Sequence, residues 1–358
     1  MLKIRSELVA GVRAAESAED LYEYLQGAVE LEHATIPLYL TAAFSIKPGF
    51  NREARAIIIS VANQEMLHMS IAANVLNAIG GRPEMDQPGF IPLFPGPLPM
   101  HIHEGLTASL QKVTRGLVYN LFMAIEEPEV PIKLRVKQMT MLPTPQFAAA
   151  PPAQSYATIG DFYDAIKERI HAFGDKIFQH PSSPQVVDNT WFPPDQMFPV
   201  TDARSACRAI NVIVEQGEGT RTSPLEGPDG EPAHYYRLAQ IVYGRMLVKD
   251  PDTKEGYSYS GAPVPLNPAG VWNLYPDAKA FDYAPDSRAF NLVQRFNYSY
   301  TSLLRALHQT FNGTPDNLKR ALGVMYELKL LADDVVSTAV GDTGYTAAPT
   351  FEYTTLPL

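Results

Sequence analysis

A glutamate and a histidine interrupt the apolar seam of a long helical pattern, and that pair constrains this chain more than any other stretch. From Arg52 to Ile79, the residues Ile58, Val61, Glu65, His68, Ala72, Val75 and Ile79 recur at alternating spacings of three and four, which traces one helix face. A carboxylate and an imidazole in such a seam need partners, because burying a lone charge is costly. Glu65 and His68 would sit only about 60° apart round the helix, close enough to reach one cation. Four-helix bundles build dimetal carboxylate sites from this Glu-x-x-His spacing, usually used twice, with lone glutamates from two further helices. The pattern therefore asks for a second copy and for the lone carboxylates.

Upstream, Ser17-Ala-Glu-Asp20 resembles a capping box and opens a helix running to about Ser45. Leu21, Leu25, Ala28, Glu32, Ile36 and Leu40 share one face, so Glu32 lies in the seam, while Glu23 and Glu30 fall on the opposite, wet face. His33 is adjacent in sequence but about 100° away, either at the site's edge or a hydrogen-bonded core histidine. Pro37 marks a kink. The turn Lys47-Pro-Gly-Phe-Asn51 makes the first two helices antiparallel neighbours, and Gly80-Gly81 ends the second.

A proline-rich loop, Arg82 to His103, carries His101 and His103, which alternate but have no third ligand nearby. A third helix is expected over Ser109–Glu126; Glu126 and Glu127 close it, where solvation is the simpler reading than ligation. Further helices are expected from Thr158 to Phe173 and from Thr201 to Gln216. Glu215, on the edge of the latter's buried side, is weaker by periodicity than Glu32. Glu231-Pro-Ala-His234 then supplies the second Glu-x-x-His, with Leu238, Ile241 and Val242 in register. Lys254 to Pro285 reads as a connection, and Ser287–Phe311 with Asp316–Ser337 as a helical hairpin buttressing the bundle. The tail from Gly341 is polar, aperiodic and expected on the surface. The aromatic loop Trp191, Phe192 and Phe198 reads as packing ahead of a lid.

These 358 residues are 46% hydrophobic with a formal charge of −10, a balance that disfavours nucleic acid or an anionic membrane as the main partner. The single cysteine, Cys207, excludes an intrachain disulfide or a cysteine-built metal site and suits a reducing compartment. Without a signal-like run or an uninterrupted apolar span, a cytoplasmic protein is expected.

Taken together, Leu31-Glu-His-Ala-Thr-Ile-Pro-Leu-Tyr-Leu40, Glu65-Met-Leu-His68, Gly80-Gly81-Arg-Pro83, Ile213-Val-Glu-Gln-Gly-Glu-Gly219, Glu231-Pro-Ala-His-Tyr235 and Ala347-Ala-Pro-Thr-Phe-Glu352 resemble the ferritin-like domain of bacterial iminophenyl-pyruvate dimer synthases and their stand-alone relatives. Those synthases couple two molecules of an oxidised aromatic amino acid on the way to bis-indole pigments. They are longer chains with an additional domain, and this sequence matches their ferritin-like part.

The resemblance implies an all-α, ferritin-like four-helix bundle with additional C-terminal helices and long Pro-rich insertions. It would occupy residues 1–250, with insertions at about 82–105 and 129–200, and residues 251–358 would pack on it within one domain. The resemblance also implies metal ligands at Glu32, Glu65, His68, Glu215, Glu231 and His234, strengthening Glu215. Two iron ions, or manganese, would activate O2 or peroxide to oxidise a small, amino-acid-derived aromatic substrate. Tyr235 and Tyr39 are candidates for substrate contact or for hydrogen bonds to the ligands, against ordinary aromatic packing. Iron storage and a metal-free helical module are the competing functions; the oligomeric state, a homo-oligomer included, is open.

Overall fold

The computed structural model describes residues 4–101, 105–136, 156–188, 190–219, 223–225 and 230–355. His103 and much of the turn Thr220–Gly230 lie outside the described residues. Helix α1 (Ser6–Ala14) precedes the long antiparallel hairpin of α2 (Tyr22–Phe44) and α3 (Arg52–Ala78). Pro37 lies inside α2 without ending it. Gly80, with φ 100°, turns the chain out of α3 through a conformation that a side chain would strain. By length and apolarity α3 could cross a membrane, but 67% of its apolar window is buried inside the protein, as expected of a core helix.

The third helix is shorter than its periodicity suggests. Residues 108–113 are not helical: Ala108 bridges Gly96, and Asp277 accepts hydrogen bonds from the Ser109 hydroxyl and the Leu110 amide. Helix α4 (residues 115–125) begins only where the Thr114 hydroxyl caps the Leu117 amide. Its middle, Val118–Phe122, is a π-helical turn, a local widening often found at functional sites.

Helix α5 (Ile159–Phe173) starts at the capping box of Thr158 and Asp161. It packs against α6 (Ala203–Glu218), which Asp202 and Ser205 cap reciprocally. Helix α7 (His234–Tyr243) ends at Gly244, left-handed at φ 69°. The strand β4 (Arg245–Lys249) follows and pairs antiparallel with β5 (Tyr257–Pro263), Val248 opposite Ser258. The connection expected over Lys254–Pro285 thus contains a strand, whose Tyr-Ser-Tyr-Ser run alternates aromatic and small residues as a half-buried strand does. Parallel to β5 runs β2 (Arg135–Val136), while β1 (Ile4–Arg5) pairs antiparallel with β3 (Tyr156–Ala157).

Helices α8 (Arg288–Phe311) and α9 (Leu318–Val336) form the C-terminal hairpin, and one hydrophobic core runs from Val9 to Phe351. The tail departs from the surface position its composition suggests, because residues 347–351 are buried and Phe351 packs edge-on against Phe296 and Tyr300, each at 5.0 Å. Replacing Phe351 by alanine is expected to destabilise the fold by about 3–5 kcal/mol, as large-to-small changes in tight cores do. Denaturant melts of the two proteins would show it; a loss below about 1 kcal/mol would mean the tail is only laid on the surface.

Candidate metal centre

Three carboxylates and two imidazoles meet inside the bundle. Glu32 comes from α2, Glu65 and His68 from α3, Glu126 from the residue after α4, and His234 from the first position of α7. They form two groups, Glu32/Glu65/His68 and Glu65/Glu126/His234, and within each the donor atoms lie within 4.8 Å of one another. Glu65 belongs to both. All five are buried, and the two imidazole rings stack at 5.4 Å.

Both histidines turn the same nitrogen toward the carboxylates. His68 Nδ1 is 3.5 Å from Glu32 and 3.8 Å from Glu65; His234 Nδ1 is 2.9 Å from Glu65 and 3.3 Å from Glu126. Their outer nitrogens are held by amides: His68 Nε2 lies 2.9 Å from Gln216 Oε1, and His234 Nε2 lies 3.0 Å from Gln64 Oε1. A carboxamide oxygen only accepts, so each Nε2 carries a hydrogen; without metal Nδ1 is protonated as well and donates to the carboxylates, and a metal ion would take the place of that proton. Metal-binding histidines are generally oriented in this way. Buried Arg237 in turn donates to Gln64 Oε1 at 2.7 Å, fixing the amide. Two tyrosines complete the frame: Tyr163 donates to Glu32 and Tyr39 to Glu126.

Electrostatics follow from that crowding. Burial, with the Glu65 charge adding and the hydrogen bond from His68 opposing, raises Glu32 to about 7. Burial also works against an ionised Glu65, but hydrogen bonds from His234 and His68 outweigh it and hold the carboxyl low. Burial opposes a charged His68, yet Glu32 and Glu65 push it up to about 10. His234 is likewise raised against burial, chiefly by Glu126 and Glu65.

The sequence-predicted ligands divide. Glu32, Glu65, His68 and His234 come together. Glu215 and Glu231 do not join them, since both are exposed. Glu231 fails because the Glu-x-x-His spacing presumes a helix through both residues. Here α7 begins only at His234, and Pro232 instead bridges Leu225. Glu215 points outward because the seam of α6 runs through Ala206, Ile210 and Ile213 to buried Gln216, one position further along.

Glu126, for which solvation was the simpler reading, is in the group, since α7 packs against α4 and covers it. Gln64, Tyr163 and Gln216 were missed; the α6 periodicity, carried one turn on, could have found Gln216. Tyr39 is a hydrogen-bond partner of Glu126, whereas Tyr235 packs edge-on against Tyr236 at 5.1 Å. His33 is buried and pairs through Nε2 with the Tyr300 hydroxyl at 2.7 Å, outside both groups.

Replacing Gln216 by leucine is expected to weaken metal binding by about 10–100-fold, because His68 loses its orienting acceptor. Glu215→Gln, one residue away, should change it little. Calorimetric titration with Mn2+ checks both, and an effect confined to Glu215→Gln would reverse the assignment.

Glu32, Glu65, His68 and Glu126 themselves line a cavity of about 50 Å3, walled further by Leu31, Ile125, Ile159 and Ile213 and bordered by half-buried Val214 and Glu127. It holds a few water-sized molecules and no aromatic ring system.

A helical bundle that gathers glutamates and histidines from several helices defines a ferritin-like carboxylate protein. The chain belongs to the Ferritin-like family, whose profile matches residues 25–243. It is similar to dichlorochromopyrrolate synthase of Lentzea aerocolonigenes, 27% identical over 381 aligned positions that cover 93% of this chain. The chain spans about a third, 36%, of that enzyme's length. A crystal structure of a ferritin-like protein from Caulobacter vibrioides shares the fold with a TM-score of 0.56 and 23% identity, covering 93% of this chain and 97% of the other.

Proposed function

We propose that this protein is a dimetal-carboxylate oxidoreductase in which Glu32, Glu65, His68, Glu126 and His234 hold two iron ions, with manganese the alternative. The substrate would be a small, amino-acid-derived aromatic compound of specialised metabolism, oxidised at the expense of O2 or peroxide. The carrying observation is the convergence of three buried carboxylates with two imidazoles that share one ring orientation. The donor set fits such ions: oxygen-rich with two nitrogens suits iron or manganese, and three negative charges offset most of the charge of two divalent cations. When bound, the metal pair supplies the electrons that reduce O2.

The chain's own groups do the rest. Gln216 and Gln64 fix the imidazole tautomers, and Tyr163 and Tyr39 each occupy one carboxylate oxygen of Glu32 and Glu126. The small cavity has room for a diatomic gas against the carboxylates, with aliphatic side chains on its other walls. A substrate the size of an indole exceeds that cavity and would bind at its border, near Glu127. The likeness to a synthase of specialised metabolism supports the reading.

One observation favours a metal-free module instead: His234 Nδ1 at 2.9 Å from Glu65 is also an ion-pair distance. Metal analysis of protein purified without chelator, followed by stopped-flow mixing of its Fe2+ form with O2, separates the alternatives. The proposal expects about two metal ions per chain, a transient absorbance and O2 uptake in proportion to substrate. Metal without either signal would indicate storage, and stability indifferent to Fe2+ and chelator would indicate ion pairs alone.

A further inference from the structure

On the other side of α3 from the metal centre lies a cleft of about 460 Å3, in the size range of small-molecule sites. Arg55, Ile59, Asn63, Met66 and Ser70 line it from α3, roughly 80–160° round the helix from Glu65, and Gln64, which holds His234, also reaches it. Most of that α3 lining faces away from Glu65. The α8/α9 hairpin forms the facing wall, and Trp191 and Phe192 stand at its edge. Trp191 is 44% and Tyr326 53% exposed, with their rings 6.1 Å apart, so two large apolar side chains stay in water at this place.

The shape and charge of the cleft select its occupant. From Arg55 to Ser70 the lining runs about 22 Å along the helix axis, so an extended chain laid along α3 meets lining residues throughout. Its walls are mostly leucine, methionine and aromatic side chains; the methionines adapt to varied apolar shapes. The formally charged side chains lining it are Arg55 and Lys329, both cations. Neither has an ion pair or side-chain hydrogen bond among the described residues. No aspartate or glutamate lines it, in a chain where 39 acidic residues outnumber 29 basic ones. Deeper along α2, His33 also lines the cleft, and its buried Nδ1 meets no protein partner. A polar atom left so is costly unless water or a ligand oxygen reaches it.

The geometry points to a binding site for a medium- to long-chain monocarboxylate, its head paired with half-buried Arg55 and its alkyl body laid along α3. None of the five residues of the carboxylate cluster lines this site.

Calorimetric titration of the full chain with dodecanoate, dodecanol, dodecylamine and 2-naphthylacetate tests it. Dodecanoate should bind one to one, with dodecylamine weaker by at least about tenfold, the worth of one partly buried ion pair. Arg55→Gln should lose about tenfold in dodecanoate affinity while leaving dodecanol unchanged. Met325→Trp, which narrows the cleft from a half-exposed position, should weaken dodecanoate and dodecanol alike. Equal binding of the amine and the carboxylate, or an unaffected Arg55→Gln protein, would overturn the carboxylate assignment. Naphthylacetate binding as tightly as dodecanoate would overturn the extended body. A protein that binds none of them, but sediments as a dimer that Trp191→Ala dissociates, would give the cleft to a second copy.

Discussion

Substituting glutamine for Glu65 should remove metal from both halves of the centre at once. Glu65 belongs to both donor groups, whereas Glu32 belongs to one and Glu126 to the other. The metal content of Glu65→Gln is therefore expected to fall from about two ions per chain to well below one, and O2-dependent oxidation to vanish. Glu32→Gln should retain the share held by Glu126 and His234. Neither effect comes from lost packing, because glutamine keeps the volume and only the negative charge goes. Charge is what the site cannot spare, since a buried carboxylate is tolerated opposite a cation and a buried cation opposite a carboxylate. Elemental analysis of the three proteins, purified identically, gives the comparison. A Glu65→Gln protein that keeps as much metal as Glu32→Gln would show that Glu65 serves one ion only, and equal content in all three would remove these residues from the coordination sphere.

The parts of this site that could be read from the chain are those where local signals and packing agree. Glu32, Glu65 and His68 break stripes that are otherwise apolar over several turns, and α2 and α3 keep regular helical geometry past them. The start of α5 was legible for the same reason, since Thr158 and Asp161 satisfy each other's backbone without help from afar. Where distant residues intervene, periodicity misleads. Asp277 binds residues 109 and 110 outside any helix, so α4 starts late, and an apolar spacing that fits a helix is spent on loop packing. Glu126 sits at a helix end, a position that water normally reaches, and only the arrival of α7 more than a hundred residues later buries it.

Glu231 shows the reverse error. Its spacing to His234 is meaningful in a helix, yet Pro232 and the bridge to Leu225 keep that segment extended. The bundle and half of the cluster are thus local facts, while the remaining half depends on which surfaces the tertiary fold brings over them.

The metal-free and metal-loaded proteins should respond to pH in opposite directions. In the chelated protein His68, raised to about 10 from an unfolded value near 6.5, contributes stability that is complete below about pH 6.5 and is lost as pH rises toward 10. Glu32 acts in the same sense. Raised to about 7, it holds its proton in the fold at pH values where the unfolded chain has released it, so it too destabilises as pH climbs from about 4.5 through 7. Glu65 is held low by its imidazole partners, and its contribution is lost only in acid, below its ordinary range. Between pH 6 and pH 9 the first two effects add without opposition from the third, and the chelated protein should melt lower at pH 9, by on the order of 5 °C. Metal inverts the relation, because each ion displaces protons from the imidazoles and from Glu32, so its binding strengthens as pH rises. The gap in melting temperature between the Mn2+-loaded and chelated forms is therefore expected to widen steadily from pH 6 to pH 9. A gap that stays constant over that interval would mean that ions and protons do not compete for these side chains, and the cluster would then be an ion-pair network with metal bound elsewhere.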